Sequence, residues 1–499
     1  MNAAPPIQPS TNLRLLRVSE WLMAACVAAA AALTLFHAAT EARLPFQLDY
    51  EEGNILNTAV RVDAGQSPYP DPQAFPNALN PYGPVGYGLA ALCVRMGGTS
   101  FTLPRYANLC CGLVIATLLL LLVSRFTGSV PLAVTFGLYF LGNGVTRTWL
   151  PLLRVDMLAI ALSLAGLWLC HRSEGRWWFP ASVCFTLALF VKYTALAAPA
   201  ACFLWLLSRR DSRRAILLAG TVCALCLAGF GAMQAVTNGN FFFHMFRTHP
   251  DPYTFRRLVG IFLMVEPSVA ALAPLLLAFL LLKPHRAPLA LFYLLCACLV
   301  VSVTGGKAGS FINHFLEPIV ACALAAAVGY QALVAMPRPP RLVPLLTLTV
   351  GAAALYLTGA FTQDTRVVPL SVTDCGDLYR SVRESKARNV LAENVGTVVL
   401  AGRQVWDSNP FVLAQLVRSK ALSGAPLEQM VARREFDLIV LNSEPAEMKL
   451  NGSQRWWGRI VSAMDENYRV SRVYDCAEAN VVVVPRNASG TGYPAPQGH

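Results

Sequence analysis

The sequence predicts an α-helical polytopic membrane protein of about 11 transmembrane helices, followed by a small extracytoplasmic α/β domain. Three observations carry that reading. Of 499 residues, 55% are hydrophobic and only 14% charged, whereas soluble domains carry about 25% charged residues. Mean hydropathy is +0.48. The basic residues fall in short clusters between apolar runs, at Arg209–Arg214, Lys283–Arg286 and Arg338–Arg341, which is the positive-inside signature of cytoplasmic loops. Because the net charge of +12 is distributed in this way, it does not indicate nucleic acid as a partner. The expected surroundings are membrane lipid.

Residues 1–18 read as cytoplasmic, with Arg14 and Arg17 preceding the first apolar run. An uncleaved anchor is expected there rather than a signal peptide. A transmembrane module then occupies 19–361, its first span lying at about 19–40. The first external loop, 41–102, contains the apolar but short Tyr82–Met96, read as a helix lying in the interface. Counting that segment as a full span would put every later basic cluster outside. Further spans are expected at 103–124, 129–146, 157–170, 177–191, 193–207, 215–236, 259–282, 288–304, 315–335 and 342–361. These leave 147–156 and the large loop 237–258 on the outer side.

From about residue 372 the apolar runs shorten. Thr397–Ala401, Asp437–Asn442 and Asn480–Val484 have strand length and alternate with helix-like Asp377–Ala392 and Gln454–Asn467. Such alternation predicts an extracytoplasmic α/β domain over 372–486, with 487–499 as a disordered tail. Of fourteen cysteines, eleven lie in apolar runs, where they act as small hydrophobes. Cys375 and Cys476 alone lie in the polar tail and are candidates for one disulfide if that region is extracytoplasmic.

The chemistry-bearing residues recur on one predicted side. Asp49, Glu51 and Glu52 follow the first span, and isolated basic groups (Arg154, Lys192, Lys307) return to the same face. Carboxylates at the mouth of a membrane helix are costly unless they face water or serve a function. Together these residues predict a polar cavity at the membrane surface. Plainer readings stand beside it: the acids as a solvated helix end, Arg154 and Asp156 as a structural pair or cap, Lys192 and Lys307 as snorkelling side chains.

The ordered set of motifs resembles the integral-membrane glycosyltransferases of the C-type fold, among them protein O-mannosyltransferases and lipid A aminoarabinose transferases. The residues carrying the resemblance are Asp49, Glu51, Glu52, Gly65, Pro68 and Tyr69, then NPYGPVGYGLAAL, Asp156, Lys192, and Gly306 with Lys307. It extends over 15–335 and reaches the tail only in general layout. In many relatives the first-loop motif reads Asp-Glu before Gly or a polar residue. Alignment on Gly53 puts Glu51 in the Asp position and Glu52 in the Glu position, with Asp49 as the other candidate.

The resemblance implies inverting transfer of a sugar from a polyprenyl-phosphate donor to a glycan, glycolipid or protein acceptor. One of Asp49, Glu51 and Glu52 would be the catalytic base. Lys192, Lys307, Arg154 and His314 would hold the donor phosphate, with Asp156, Arg247 and His249 as secondary candidates. No cofactor is required on this reading, and a divalent metal is optional. The implied location is a bacterial inner membrane. A lipid-linked-sugar flippase and a membrane-anchored assembly protein are the rival classes. A flippase would place charges at the bilayer midplane and breaks in paired helices.

Overall fold

The computed structural model describes residues 11–248, 252–282, 287–336, 343, 345, 349–354, 356, 372–476 and 478–486. The chain is a mostly helical, multi-pass integral membrane protein. Helix α1 (Thr11–Ala42) is followed by two short helices, α2 (Tyr50–Asp63) and α3 (Pro84–Gly97). The main bundle continues with α4 (Thr102–Thr127), α5 (Val130–Tyr139), α6 (Gly144–Trp149), α7 (Asp156–Arg172), α8 (Trp178–Leu189), α9 (Ala197–Ser208) and α10 (Ser212–Val236). Helices Phe255–Ala270, Ala273–Leu282, Pro288–Thr304 and Leu316–Val334 complete it.

Among the described residues, four helices are long and apolar enough to cross a membrane, or five if one bent pair is a single span. The expected number of spans is larger because α5, α8 and α9 are short, at 10, 12 and 12 residues. At 1.5 Å of rise per residue, a 12-residue helix covers only about 18 Å. The span expected at 259–282 is the bent pair, broken by 80°. Pro274 lies at the start of its second helix, where the missing N–H is tolerated and continuation from the preceding turn is blocked. The span expected over 342–361 lies largely outside the described residues, as do 283–286 and 337–342.

Leu316–Val334 is the central helix. It is largely buried, whereas α10, also apolar, is mostly exposed. Its Gly329 admits the bent pair so closely that a Cβ there would lie 2.0 Å from the Leu275 carbonyl oxygen. The helix ends alternate. One end of the bundle carries Arg125, Arg172 and Arg209, with Arg125 Nη2 donating to the Arg172 carbonyl at 3.5 Å and Arg209 pairing with Glu174 at 3.4 Å. The other end carries Asp49, Glu51, Glu52 and Asp156.

The loop expected over 41–102 contains α2, a helix that sequence reading did not anticipate. Asp49 and Glu52 form a capping box at its start, a pairing that satisfies two orphan N–H groups of the first turn. The second large loop, 237–258, holds a π-helical turn at Phe243–Arg247.

The C-terminal region builds a four-stranded sheet of order β1-β2-β4-β3. Its strands are β1 (Val390–Ala392), β2 (Leu438–Leu441), β3 (Tyr468–Cys476) and β4 (Glu478–Pro485). β1 pairs parallel with β2; β2–β4 and β4–β3 are antiparallel. Two local expectations were reversed: Thr397–Ala401 belongs to a helix, Val395–Leu400, and the end of Asp377–Ala392 is β1. Val395, Val398 and Val399 of that helix are buried; they pack into the surrounding cores as one face of a helix rather than a strand. The disulfide Cys375–Cys476 ties helix Val372–Glu384 to the end of β3. Residues 487–499, expected to be disordered, lie outside the described residues.

The C-terminal region shares a core with the first loop: Val395 and Val399 pack among Ile55, Leu56 and Phe101. Gly396 N donates to Gln47 Oε1 at 2.7 Å, and a Cβ on Gly53 would lie 2.4 Å from Gly396 N.

Candidate active site

The three first-loop acids have different fates, set by their position on α2. Glu52, in its first turn, points into the protein. Its oxygens accept from Arg105 Nε at 2.7 Å and Nη2 at 2.6 Å, and from Leu153 N and Leu48 N, both at 2.7 Å. Arg105 also donates to the Leu44 and Phe46 carbonyls, and neither side chain is exposed. This pair fastens α4 to the first loop and to the segment before α7. Asp49, the N-cap, accepts from Arg154 Nη1 at 2.7 Å.

Glu51 makes no salt bridge within reach among the described residues. Its oxygens accept from two amides, Asn54 Nδ2 at 3.3 Å and Asn409 Nδ2 at 3.1 Å. Burial pushes the Glu51 carboxyl above the usual range, opposed by the Arg154 charge and reinforced by Asp49.

Asp156 opens α7 and organises the cations. It accepts from Lys192 Nζ at 2.6 Å, Asn313 Nδ2 at 3.0 Å and Trp149 Nε1 at 3.1 Å, with Arg154 Nε at 3.8 Å. The Arg154 guanidinium also lies 5.3 Å from the centre of the Trp149 ring. Lys192 reaches this position because the chain leaves α8 at Leu189 and does not become helical again until Ala197.

These groups converge on one cavity of about 450 Å³. Asp49, Glu51, Arg154, Lys192, Lys307 and His314 all line it. Glu52 does not. Lys307 has no carboxylate within ion-pair distance among the described residues, and Gly306 beside it packs on the Tyr253 ring. His314 Nδ1 lies 3.1 Å from the Thr304 hydroxyl. Arg247 is exposed and off the cavity wall, because the turn Phe243–Arg247 buries His244 and Met245 instead. His244 is a strut: Asn80 N donates to its Nδ1 at 3.1 Å, and its Nε2 lies 2.8 Å from the Pro70 carbonyl. His249 lies outside the described residues.

Sequence reasoning missed several walls. Arg257 lines the cavity and donates through Nη2 to the Ser310 carbonyl at 3.1 Å. From the C-terminal region, Phe411, Gln454 and Arg455 also line it. Arg455 pairs with Glu393 at 2.9 Å and lies 4.2 Å from the Tyr50 ring centre. Arg105 had a readable signal, being a charge in the first turn of an apolar helix that requires a partner. Asn409 had none, since it lies 358 residues from Glu51.

The arrangement offers one half-buried carboxylate held only by neutral donors among the described residues, in a cavity that cations also line. Such a carboxylate can take a proton, and the cations can stabilise a leaving anion. Asp49 and Asp156 are held by cations, and among the described residues no three His, Cys, Asp or Glu side chains converge as metal ligands.

No family model matches the chain, and no curated protein matches it by sequence. Among solved structures it is similar to ArnT from Cupriavidus metallidurans bound to undecaprenyl phosphate. The TM-score is 0.62 at 12% identity, over 93% of this chain and 99% of that one. For ArnT from the same organism in the apo state the TM-score is 0.65 at 11% identity, over 94% and 99%. At this identity the likeness is one of fold.

Proposed function

We propose that this chain is a glycosyltransferase that moves a sugar from a polyprenyl-phosphate donor to an acceptor hydroxyl at the extracytoplasmic face of the membrane. The observation that carries the reading is the shared cavity, lined by Glu51 together with Lys307, Arg257 and Lys192. The fold likeness to ArnT, a glycosyltransferase solved with undecaprenyl phosphate, supports the donor class.

In this reading Glu51 is the base. It accepts the acceptor's hydroxyl proton as that oxygen bonds to the anomeric carbon. The bond between that carbon and the phosphate oxygen breaks on the opposite face, so configuration inverts and no sugar–enzyme ester forms. Polyprenyl phosphate leaves as an anion. Lys307 and Arg257 offset its charge, and Lys192, held by Asp156, adds to the field. Asp49 orients Arg154, and Glu52 holds the loop. The acceptor is a glycan, glycolipid or protein that enters beneath the C-terminal domain, which lies on the extracytoplasmic side. The test is incubation of the purified protein with a panel of labelled polyprenyl-phosphate sugars and acceptor extracts, scoring free polyprenyl phosphate. Release from at least one donor is expected. No release from any donor contradicts the reading.

A further inference from the structure

Among the described residues, the C-terminal region hydrogen-bonds the Glu51 carboxylate through one side chain, Asn409. Asn409 is fully buried at the N-cap of helix Pro410–Arg418. Its Oδ1 is occupied twice, accepting from Val412 N at 3.3 Å and from the Tyr50 hydroxyl at 3.2 Å. Its backbone N–H donates to Asp407 Oδ1 at 3.1 Å. The Tyr50 hydroxyl in turn accepts from Phe411 N at 2.8 Å. With the oxygen so committed, the amide orientation is fixed by the network and Nδ2 is left to donate to Glu51 Oε1.

We propose that Asn409 is a positioning residue for Glu51, so that docking of the C-terminal domain completes the base. The proposal rests on the reading of Glu51 as the proton acceptor. Asn54, on the same helix as Glu51, holds the other oxygen, and a carboxylate with one oxygen loose could rotate out of line with the acceptor. Asn409 removes that freedom and favours the ionised form by hydrogen bonding to it. The domain therefore acts as part of the catalytic machinery in addition to walling the cavity. A chain whose domain is detached would keep its donor site and lose its aligned base.

The charged and titratable groups facing Glu51 are Asp49 and Tyr50 on its own segment, Arg154 from the loop before α7, and Tyr82 and Tyr87 around α3. Beyond Tyr50 lie Arg455 and Asp407 of the C-terminal domain; beyond Arg154 lies Asp156. Of these, Tyr50 touches the Asn409 side chain, through the bond its hydroxyl donates to Oδ1, and Asp407 is held by the Asn409 backbone N–H, which substitution keeps.

Two variants separate positioning from folding. Asn409→Asp keeps a helix N-cap and an acceptor for Tyr50 but turns a donor toward Glu51 into an acceptor. Asn409→Ser keeps the cap and is too short to reach Glu51. In full-length protein in nanodiscs, infrared difference spectra against Glu51→Gln isolate the protonated-carboxyl band of Glu51, which is then titrated. The expected result is a midpoint moved up by about one to two pH units in both variants. The acid limb of kcat for polyprenyl phosphate release should move by the same amount, with donor KM within about twofold. If either variant titrates and turns over as the unaltered protein does, Asn409 is no more than a helix cap and the proposal is overturned. If Glu51→Gln releases polyprenyl phosphate at the full rate, it is the base assignment that fails.

Discussion

Glu52 and Arg105 form a two-bond ion pair, at 2.7 and 2.6 Å, with neither side chain exposed. A buried charge left without its partner costs about 3–5 kcal/mol. Glu52→Gln and Arg105→Ala are therefore expected to lose stability by that order, read as a lower unfolding temperature in nanodiscs. Glu51→Gln, which removes no ion pair, should unfold within a few degrees of the unaltered protein. Equal destabilisation by Glu51→Gln and Glu52→Gln contradicts the division of roles.

Lys307 lines the cavity with no acidic partner among the described residues. Lys307→Ala should raise donor KM about tenfold, the loss of one charge-assisted hydrogen bond, and leave acceptor KM unchanged. An unaltered dependence on donor concentration would mean that its ammonium only seeks the interface.

The disulfide Cys375–Cys476 closes a loop of 101 residues. Loops of that length lose about 4–5 kcal/mol of unfolded-state entropy on crosslinking in the chain-entropy model. Replacing both cysteines with serine should make the C-terminal domain sensitive to limited proteolysis while the bundle stays intact. Non-reducing peptide mapping that returns two free thiols contradicts the pairing.

Asp407 is buried, with Oδ2 unbonded, and burial pushes its carboxyl up to about 7, opposed by the Asn409 N–H. Because the folded value lies above the unfolded one of 3.8, Asp407's contribution to stability is present in full below about pH 4. It falls as pH rises to about 7 and stays constant above that. Asp407→Asn should abolish this component and stabilise the C-terminal domain at neutral pH by at most about 4 kcal/mol, read as a higher unfolding temperature. A parallel pH profile in the two proteins contradicts it.

Sequence reading reached the parts of the fold that local pattern determines. Apolar runs marked many of the helices, and Asp49, Glu51, Arg154, Lys192 and Lys307, expected on one side, line one cavity. It did not separate the three acids. Their fates depend on which side of α2 each occupies, and α2 has only a modest apolar face, its buried residues including Asn54, Asn57 and Thr58. The capping pair Asp49 and Glu52 was the available signal for that helix. Val395–Leu400 was misread because a short run of valines in a buried helix has the composition of a strand. Asn409 and Arg455 were invisible for another reason: nothing local marks a contact made across the length of the chain.

The central claim is that Glu51, alone among the first-loop acids, accepts the acceptor's proton. Its most direct test is single-turnover release of polyprenyl phosphate by Glu51→Gln and Asp49→Asn, using the donor that the unaltered protein consumes. The expected result is a loss of about a hundredfold or more in Glu51→Gln, with a smaller loss in Asp49→Asn. Full turnover by Glu51→Gln contradicts the account.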